Sequence, residues 1–108
     1  MESEQRATTR KQISLNVLIN CESFDLTYPR IWKTRDLSTN GAFVEMNRMD
    51  LSPHASIEAV LVLEYKDNHE PHCLPAEIVR ISTEGIALHF GQYDDRTRSA
   101  LLMVLEGK

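Results

Sequence analysis

The sequence predicts an all-β fold in which six short strands are followed by one C-terminal helix. Three observations support this prediction. Apolar residues alternate with polar ones at period two over much of the chain, clusters of turn-forming residues separate these segments at short intervals, and a helical period appears only near the end. Short strands at this spacing favour a small antiparallel barrel or a sandwich, with the terminal helix covering one open face.

The first half of the chain contains a polar arm and three strands. Residues 1–12 show no apolar periodicity and predict a flexible arm, whereas residues 13–108 are expected to form the folded domain. Residues 13–19 alternate as a half-buried first strand. The second strand, residues 31–35, and the third, residues 42–46, are separated by Asp, Ser, Asn and Gly, which are turn formers.

The second half contains three more strands. Residues 57–65 alternate as a fourth strand, the polar residues 66–71 predict a turn, and residues 73–82 form a fifth strand. Thr83-Glu84-Gly85 is a hairpin signal that leads into a sixth strand at residues 86–90.

The last segment predicts an amphipathic helix that begins after Tyr93. Asp94 and Asp95 supply the negative charge that a helix N-terminus favours. Apolar residues then recur at i, i+3, i+4 intervals up to Leu105, and Gly107 predicts the end of the helix.

Composition and charge limit the classes of function. The chain has 108 residues and a net charge of −4, which argues against DNA or RNA binding because such domains are usually basic. A small anionic ligand remains compatible, since a few arginines can bind it against an acidic background. The sequence shows neither an apolar run that could cross a bilayer nor a signal peptide, so we expect a cytoplasmic protein without membrane insertion and with reduced Cys21 and Cys73.

The polar arm contains the first of two motifs that suggest a ligand. Arg6 and Arg10 form the pattern Arg-x-x-x-Arg. Read as structure alone, they belong to a solvated arm. Read as a ligand site, they form an anion clamp, because guanidinium groups match phosphate oxygens and the O6/N7 edge of guanine with paired hydrogen bonds.

The second motif, Asp-x-Ser-x-x-Gly, consists of Asp36, Ser38 and Gly41. Read as structure alone, it is an Asx-type turn in which Gly41 supplies a positive φ. Read as a ligand site, Asp36 accepts hydrogen bonds from N1–H and N2–H of guanine. In the same reading Ser38 bonds a phosphate or a base edge, and Gly41 allows a close approach of the backbone.

The two motifs together, in this order around the first two strands, resemble those of the PilZ domain family. Further similarity lies in Ala42-Phe43-Val44, in Ala76-Glu77-Ile78-Val79-Arg80 and in Gly85-Ile86-Ala87-Leu88-His89-Phe90. The resemblance runs from Arg6 to about Leu105. It implies a six-stranded antiparallel β-barrel with a C-terminal helix, and a bacterial receptor for the second messenger cyclic di-GMP.

The resemblance also implies roles for the motif residues. Arg6 and Arg10 would grip the phosphates and guanine faces, while Asp36, Ser38 and Gly41 would line the same site. The ligand would draw the arm onto the barrel, and the ordered arm would signal to a protein partner that the sequence does not identify. Motility, biofilm matrix synthesis and virulence control all fit such a receptor.

Two further positions bear on the ligand. Many family members carry an additional arginine where this chain has Gln5, in a neighbourhood that bears on whether one ligand or an intercalated pair binds, so the stoichiometry is open. Arg80 on the fifth strand could stack on a guanine. The alternative for Arg80 is a solvent-facing strand residue, and the sequence does not decide between them.

The residues favour other functions less. Some PilZ proteins that lack the motifs are interaction modules in pilus or motility assemblies, and the intact motifs argue against that alternative here. The sequence contains no recognisable catalytic set, so we expect no enzyme and no cofactor. His69, Glu70, His72 and Cys73 lack a second ligand pair at zinc-site spacing, and a polar turn explains them. Trp32 is expected to lie in the core.

Overall fold

Six antiparallel strands form a closed barrel in the computed structural model, which describes residues 11–20, 31–46, 54–65 and 68–106. The elements are β1 (Asn16–Asn20), β2 (Trp32–Leu37), β3 (Gly41–Glu45), β4 (Ser56–Tyr65), β5 (Asn68–Ile81), β6 (Gly85–Phe90) and the helix α1 (Asp95–Glu106). The order around the barrel is β1-β2-β3-β6-β5-β4, and pairing of β1 with β4 closes it. The predicted all-β fold is confirmed, and of the two architectures the barrel is the one formed.

Alternate residues of the strands fill the interior, as the period-two pattern predicts. The inward residues of β4 to β6, for example Leu61, Ile78 and Ile86, are fully buried. Leu101 and Leu105 of α1 belong to the same core cluster, so the helix covers an open face of the barrel. Trp32 is partly buried against this core, as expected. No helix in the described part of the chain is long and apolar enough to cross a bilayer.

The hairpin between β4 and β5 differs from the prediction. Residues 66–71 were expected to form a turn, but β5 extends back to Asn68 and includes Pro71 and Pro75. This first half of β5 pairs with β4 alone, because pairing with β6 begins at Ala76. A proline lacks only its N–H group, and strands tolerate this loss where one edge is unpaired. The turn prediction was wrong for residues 68–71 because it treated polar residues and proline as strand breakers, and residues 66 and 67 lie outside the described residues.

The segment that joins the arm to β1 lies against β2. Lys11, which the sequence assigned to the arm, exchanges backbone hydrogen bonds of 3.0 and 2.9 Å with Leu37. The hydroxyl of Thr34 donates to the carbonyl of Ile13 at 2.6 Å and accepts from the N–H of Leu15 at 2.9 Å. These contacts attach the chain to the barrel several residues before β1 begins.

Candidate functional site

A β-bulge in β2 places Asp36 on the outside of the barrel. The register of β2 against β3 shifts between Thr34 and Asp36, so Arg35 is an extra residue in the ladder. Thr34 and Leu37 are both buried in the interior. Strict alternation would put residues three apart on opposite faces, and the extra residue removes this conflict by leaving both Arg35 and Asp36 outside.

A second bulge lies in β5. The register of β5 against β6 shifts between Ile78 and Arg80. Ile78 is fully buried, whereas Val79 and Arg80 are exposed. This bulge therefore also presents two neighbouring side chains on the outer surface.

A row of paired residues connects the two bulges. Asp36 pairs with Phe43, Phe43 with Ala87, and Ala87 with Arg80. We call this surface the outer band, and its residues are Arg35, Asp36, Phe43, Val79, Arg80 and Ala87. The row crosses β2, β3, β6 and β5, and with neighbouring strands about 4.8 Å apart its path is about 14 Å long. Asp36 and Arg80, two of the predicted site residues, thus lie at the two ends of the outer band, and half of the six-stranded circle of the barrel separates them.

Arg35 covers the aromatic ring at the centre of the outer band. Its Cζ lies 4.0 Å from the centroid of the Phe43 ring, and its Nη1 lies 2.9 Å from Oε1 of Glu84. Phe43 is only 4% exposed although its strand position faces outward. Arg35 belongs to neither of the two sequence motifs and was not predicted as a site residue. The available signal was the spacing of Thr34 and Leu37, two inward residues an odd number of positions apart.

The turn after β2 is held by the hydroxyl of Ser38. Its Oγ accepts from the N–H groups of Asn40 at 3.1 Å and Gly41 at 3.2 Å, and the Ser38 N–H donates to the Gly41 carbonyl at 2.9 Å. Ser38 is 2% exposed. The structural interpretation of the motif as a turn built on side-chain hydrogen bonds fits this geometry, and contact of Ser38 with a ligand stays a prediction.

Gly41 is required by a close backbone approach. A Cβ at this position would lie 2.1 Å from the carbonyl oxygen of Leu88 on β6. Among the described residues a positive φ occurs at His54 and Gly85, and not at Gly41. The predicted positive φ was therefore wrong, because the glycine lies in the extended start of β3, where the neighbouring strand leaves no room for a side chain.

Tyr93 holds the same turn from the other side. Its hydroxyl donates to the carbonyl of Thr39 at 2.5 Å, and its ring makes an edge contact with Phe90. The guanidinium of Arg98 lies 5.1 Å from the ring centroid. Burial raises the pKa of Tyr93, although the charge of Arg98 acts in the opposite direction. The motif turn is thus joined to the beginning of α1, a link that the sequence did not reveal.

The residues considered as metal ligands have other partners or point apart. His72 is buried in the barrel, where its Nδ1 lies 2.9 Å from the hydroxyl of Thr97, and Cys73 is exposed. Glu70 forms an ion pair with Arg96 at 2.9 Å. Within the described ranges no group of three or more His, Cys, Asp or Glu side chains could hold a metal ion.

The arm arginines, Arg6 and Arg10, lie outside the described residues, as does Gln5. The residue that follows Arg10 is Lys11, and its backbone is hydrogen-bonded to Leu37. Leu37 is the second residue of the Asp-x-Ser-x-x-Gly segment. The chain therefore leaves the arm directly beside the second motif.

Comparison with known protein families finds a match over almost the whole chain. The family model described as PilZ domain matches residues 4–107. The inhibitor of motility (MotI/DgrA) of Bacillus subtilis has a similar structure, with a TM-score of 0.79 and 17% sequence identity; the match covers 94% of this chain and 50% of that one. The chain therefore spans half the length of the Bacillus protein.

Two further solved structures share the fold. The PilZ domain of CeSA from a cellulose-synthesizing bacterium has a TM-score of 0.68 and 23% identity, over 92% of this chain and 96% of that one. An uncharacterized Legionella protein has a TM-score of 0.54 and 17% identity, over 91% of each chain. At such identities these likenesses establish the fold alone. No curated protein is significantly similar to the chain.

Proposed function

The chain belongs to the PilZ domain family, and on that premise we propose that it is a bacterial receptor that binds cyclic di-GMP and signals to a protein partner. Members of this family are typically cyclic di-GMP receptors and act as regulatory binding modules. The observation that carries the proposal is the junction of the two motifs. Asp36 lies on the outer band, and the residue after Arg10 is hydrogen-bonded to the same segment of β2.

The chemistry of the outer band suits a guanine dinucleotide. The side chain of Asp36 is partly exposed, and its carboxylate can accept hydrogen bonds from N1–H and N2–H of a guanine. The ligand carries two phosphodiester charges, and the guanidinium groups of the two arm arginines can each form paired hydrogen bonds with phosphate oxygens. Since the whole chain has a net charge of −4, attraction of the anion depends on these local cations rather than on the overall field.

The arm is long enough for both arginines to reach the surface beside the second motif. Consecutive Cα atoms are about 3.8 Å apart, so the anchored Lys11 limits Arg10 to the neighbourhood of the Asp-x-Ser turn. Arg6 lies four residues earlier and can reach about 14 Å further along an extended chain at about 3.5 Å per residue. We propose that the ligand draws both arginines onto this surface and orders the arm.

The descriptions of two structural relatives suggest the biological process in which this chain takes part. One of them is described as an inhibitor of motility and another as a PilZ domain from a cellulose-synthesizing bacterium. For this chain we propose a cytoplasmic role in motility or biofilm regulation through an effector protein, with neither catalysis nor nucleic-acid binding. The ordered arm would form part of the surface that this effector recognises.

Isothermal titration with cyclic di-GMP tests the proposal. We expect the wild type to bind, with Arg10→Ala and Asp36→Ala each weakening the affinity by more than about tenfold, because each removes a charge-assisted contact of about 1.5–3 kcal/mol. Arg96→Ala is the matched control, since its ion pair with Glu70 lies on α1 and β5. Absence of binding at tens of micromolar ligand would contradict the proposal, and so would a wild-type affinity in Arg10→Ala.

The same preparation tests the alternative of a nucleotide-independent interaction module. If the protein captures the same partner from a bacterial lysate with and without cyclic di-GMP, and the titration shows no binding, the alternative replaces the proposal. Recovery of a partner that depends on the ligand supports the receptor. Measured stoichiometry from the titration also decides between one ligand and an intercalated pair.

A further inference from the structure

Arg35 is a planar cation that lies over a buried aromatic ring and keeps part of its side chain exposed. Its Cζ lies 4.0 Å from the Phe43 centroid, and Glu84 holds Nη1 at 2.9 Å. The side chain nevertheless remains 42% exposed. Because the Phe43 ring covers one side of the guanidinium, this exposure lies on the rest of the Arg35 side chain.

The ion pair with Glu84 does not by itself explain why Arg35 is held here. Exposed ion pairs such as Arg35–Glu84, whose side chains are 42% and 72% exposed, contribute little to stability. A bulge that adds an unpaired residue to β2 also disrupts the ladder, and such bulges are common next to functional sites. What the bulge provides is two side chains, Arg35 and Asp36, next to each other opposite a single ring.

From this geometry we infer that Arg35 is a ligand-contacting residue whose guanidinium forms a stacking platform for a guanine base of cyclic di-GMP. Arginine guanidinium groups stack on π-faces, and Phe43 already occupies one face of this group. A purine on the opposite face completes a ring–cation–base sandwich. The inference rests on the proposed function and adds to it a residue outside the two motifs.

The neighbouring carboxylate gives this platform its specificity. Nε of Arg35 lies 3.9 Å from Oδ2 of Asp36, so a base stacked over Arg35 has an edge within reach of that carboxylate. Stacking accepts any base because every base has a π-face. Asp36 accepts only from an edge that carries donors, as the N1–H and N2–H edge of guanine does. In this arrangement Arg35 contributes affinity through stacking, and Asp36 contributes the recognition of guanine.

A charge-conserving substitution separates stacking from simple attraction. Lysine in place of Arg35 keeps the positive charge but loses the plane. We expect Arg35→Lys and Arg35→Ala both to weaken cyclic di-GMP binding by about 5- to 30-fold. Arg96→Ala, which breaks an equally short ion pair away from the outer band, is expected to stay within about twofold of the wild type.

The outcomes of the titration are distinct. If the wild type binds and Arg35→Lys retains its affinity, the platform is refuted, because charge alone is then sufficient. Wild-type affinity in Arg35→Ala refutes any contact with the ligand. If the wild type itself does not bind, the proposed function fails and this inference with it. Thermal melting of each variant establishes that it is folded at the temperature of the titration, and a loss of affinity in folded Arg35→Lys, with Arg96→Ala unchanged, supports the platform.

Discussion

The buried hydroxyl of Thr34 gives the sharpest prediction about stability. It is 1% exposed and makes two hydrogen bonds, to the Ile13 carbonyl and from the Leu15 N–H. Thr34→Val keeps the shape of the side chain and removes both bonds. A buried polar group left without a partner costs about 1–3 kcal/mol, and the part-buried Ile13 carbonyl costs less because water can reach it. We therefore expect a loss of about 2–3 kcal/mol.

Urea unfolding followed by circular dichroism measures this loss. With a slope of about 1–3 kcal/mol per molar urea, the midpoint of Thr34→Val should fall by about 0.7–3 M. Thr34→Ser is the control, because it keeps the hydroxyl and loses one methyl group, worth about 0.8 kcal/mol. The expected order of stability is wild type, then Thr34→Ser, then Thr34→Val. A valine variant as stable as the serine variant would refute the assignment of these hydrogen bonds.

Three further variants test individual contacts. Tyr93→Phe removes the hydrogen bond to Thr39 and should lower the free energy of unfolding by about 0.5–1.5 kcal/mol; an unchanged urea midpoint would contradict this. Asp94 accepts from the N–H of Thr97, which lowers its pKa from the ordinary 3.8. Its stabilising effect is thus complete above pH 4 and lost as the pH falls through the lowered pKa. The stability advantage of the wild type over Asp94→Asn should shrink below pH 4 in pH-dependent melts, and a constant difference would argue against it. Gly41→Ala forces a Cβ against the β6 carbonyl and should cost about 1–3 kcal/mol in urea, whereas a neutral effect would show that β3 and β6 can separate.

The strands could be predicted from the sequence because each obeys a local rule. Alternation located β1, β4 and β6, the segments between turn signals located β2, β3 and β5, and the helical period located α1. The choice between barrel and sandwich was beyond these rules, since it depends on pairing of β1 with β4, for example Val17 with Leu61. Nothing in either strand taken alone specifies that partner. The resemblance to a family, and not the pattern, supplied the barrel.

The start of β5 shows where local rules fail. A segment that contains His69, Pro71 and other polar residues predicts a turn, yet it pairs with β4 throughout. One unpaired edge and an exposed face remove the usual penalties for these residues. Both conditions depend on which strands lie beside β5, so the sequence of the segment did not contain the information.

The candidate site could be predicted in part. The motif identified Asp36, and its spacing suggested a turn at Ser38 that the structure describes. Arg35 was missed because no residue type marks a bulge. Tyr93 was missed because its contact with Thr39 joins positions 54 residues apart. The predicted φ of Gly41 was wrong because a glycine is required there by the close approach of β6, and not by the backbone conformation of the turn.

Chemical-shift mapping with cyclic di-GMP tests the central claim most directly. In two-dimensional ¹H–¹⁵N spectra of the labelled protein, we expect the largest changes at Lys11, at residues 35–43 and at Arg80 and Ala87, because these line the outer band and its junction with the arm. The exposed face of α1, which includes Met103, should change little. Large shifts confined to α1, with the outer band unchanged at saturating ligand, would contradict the account.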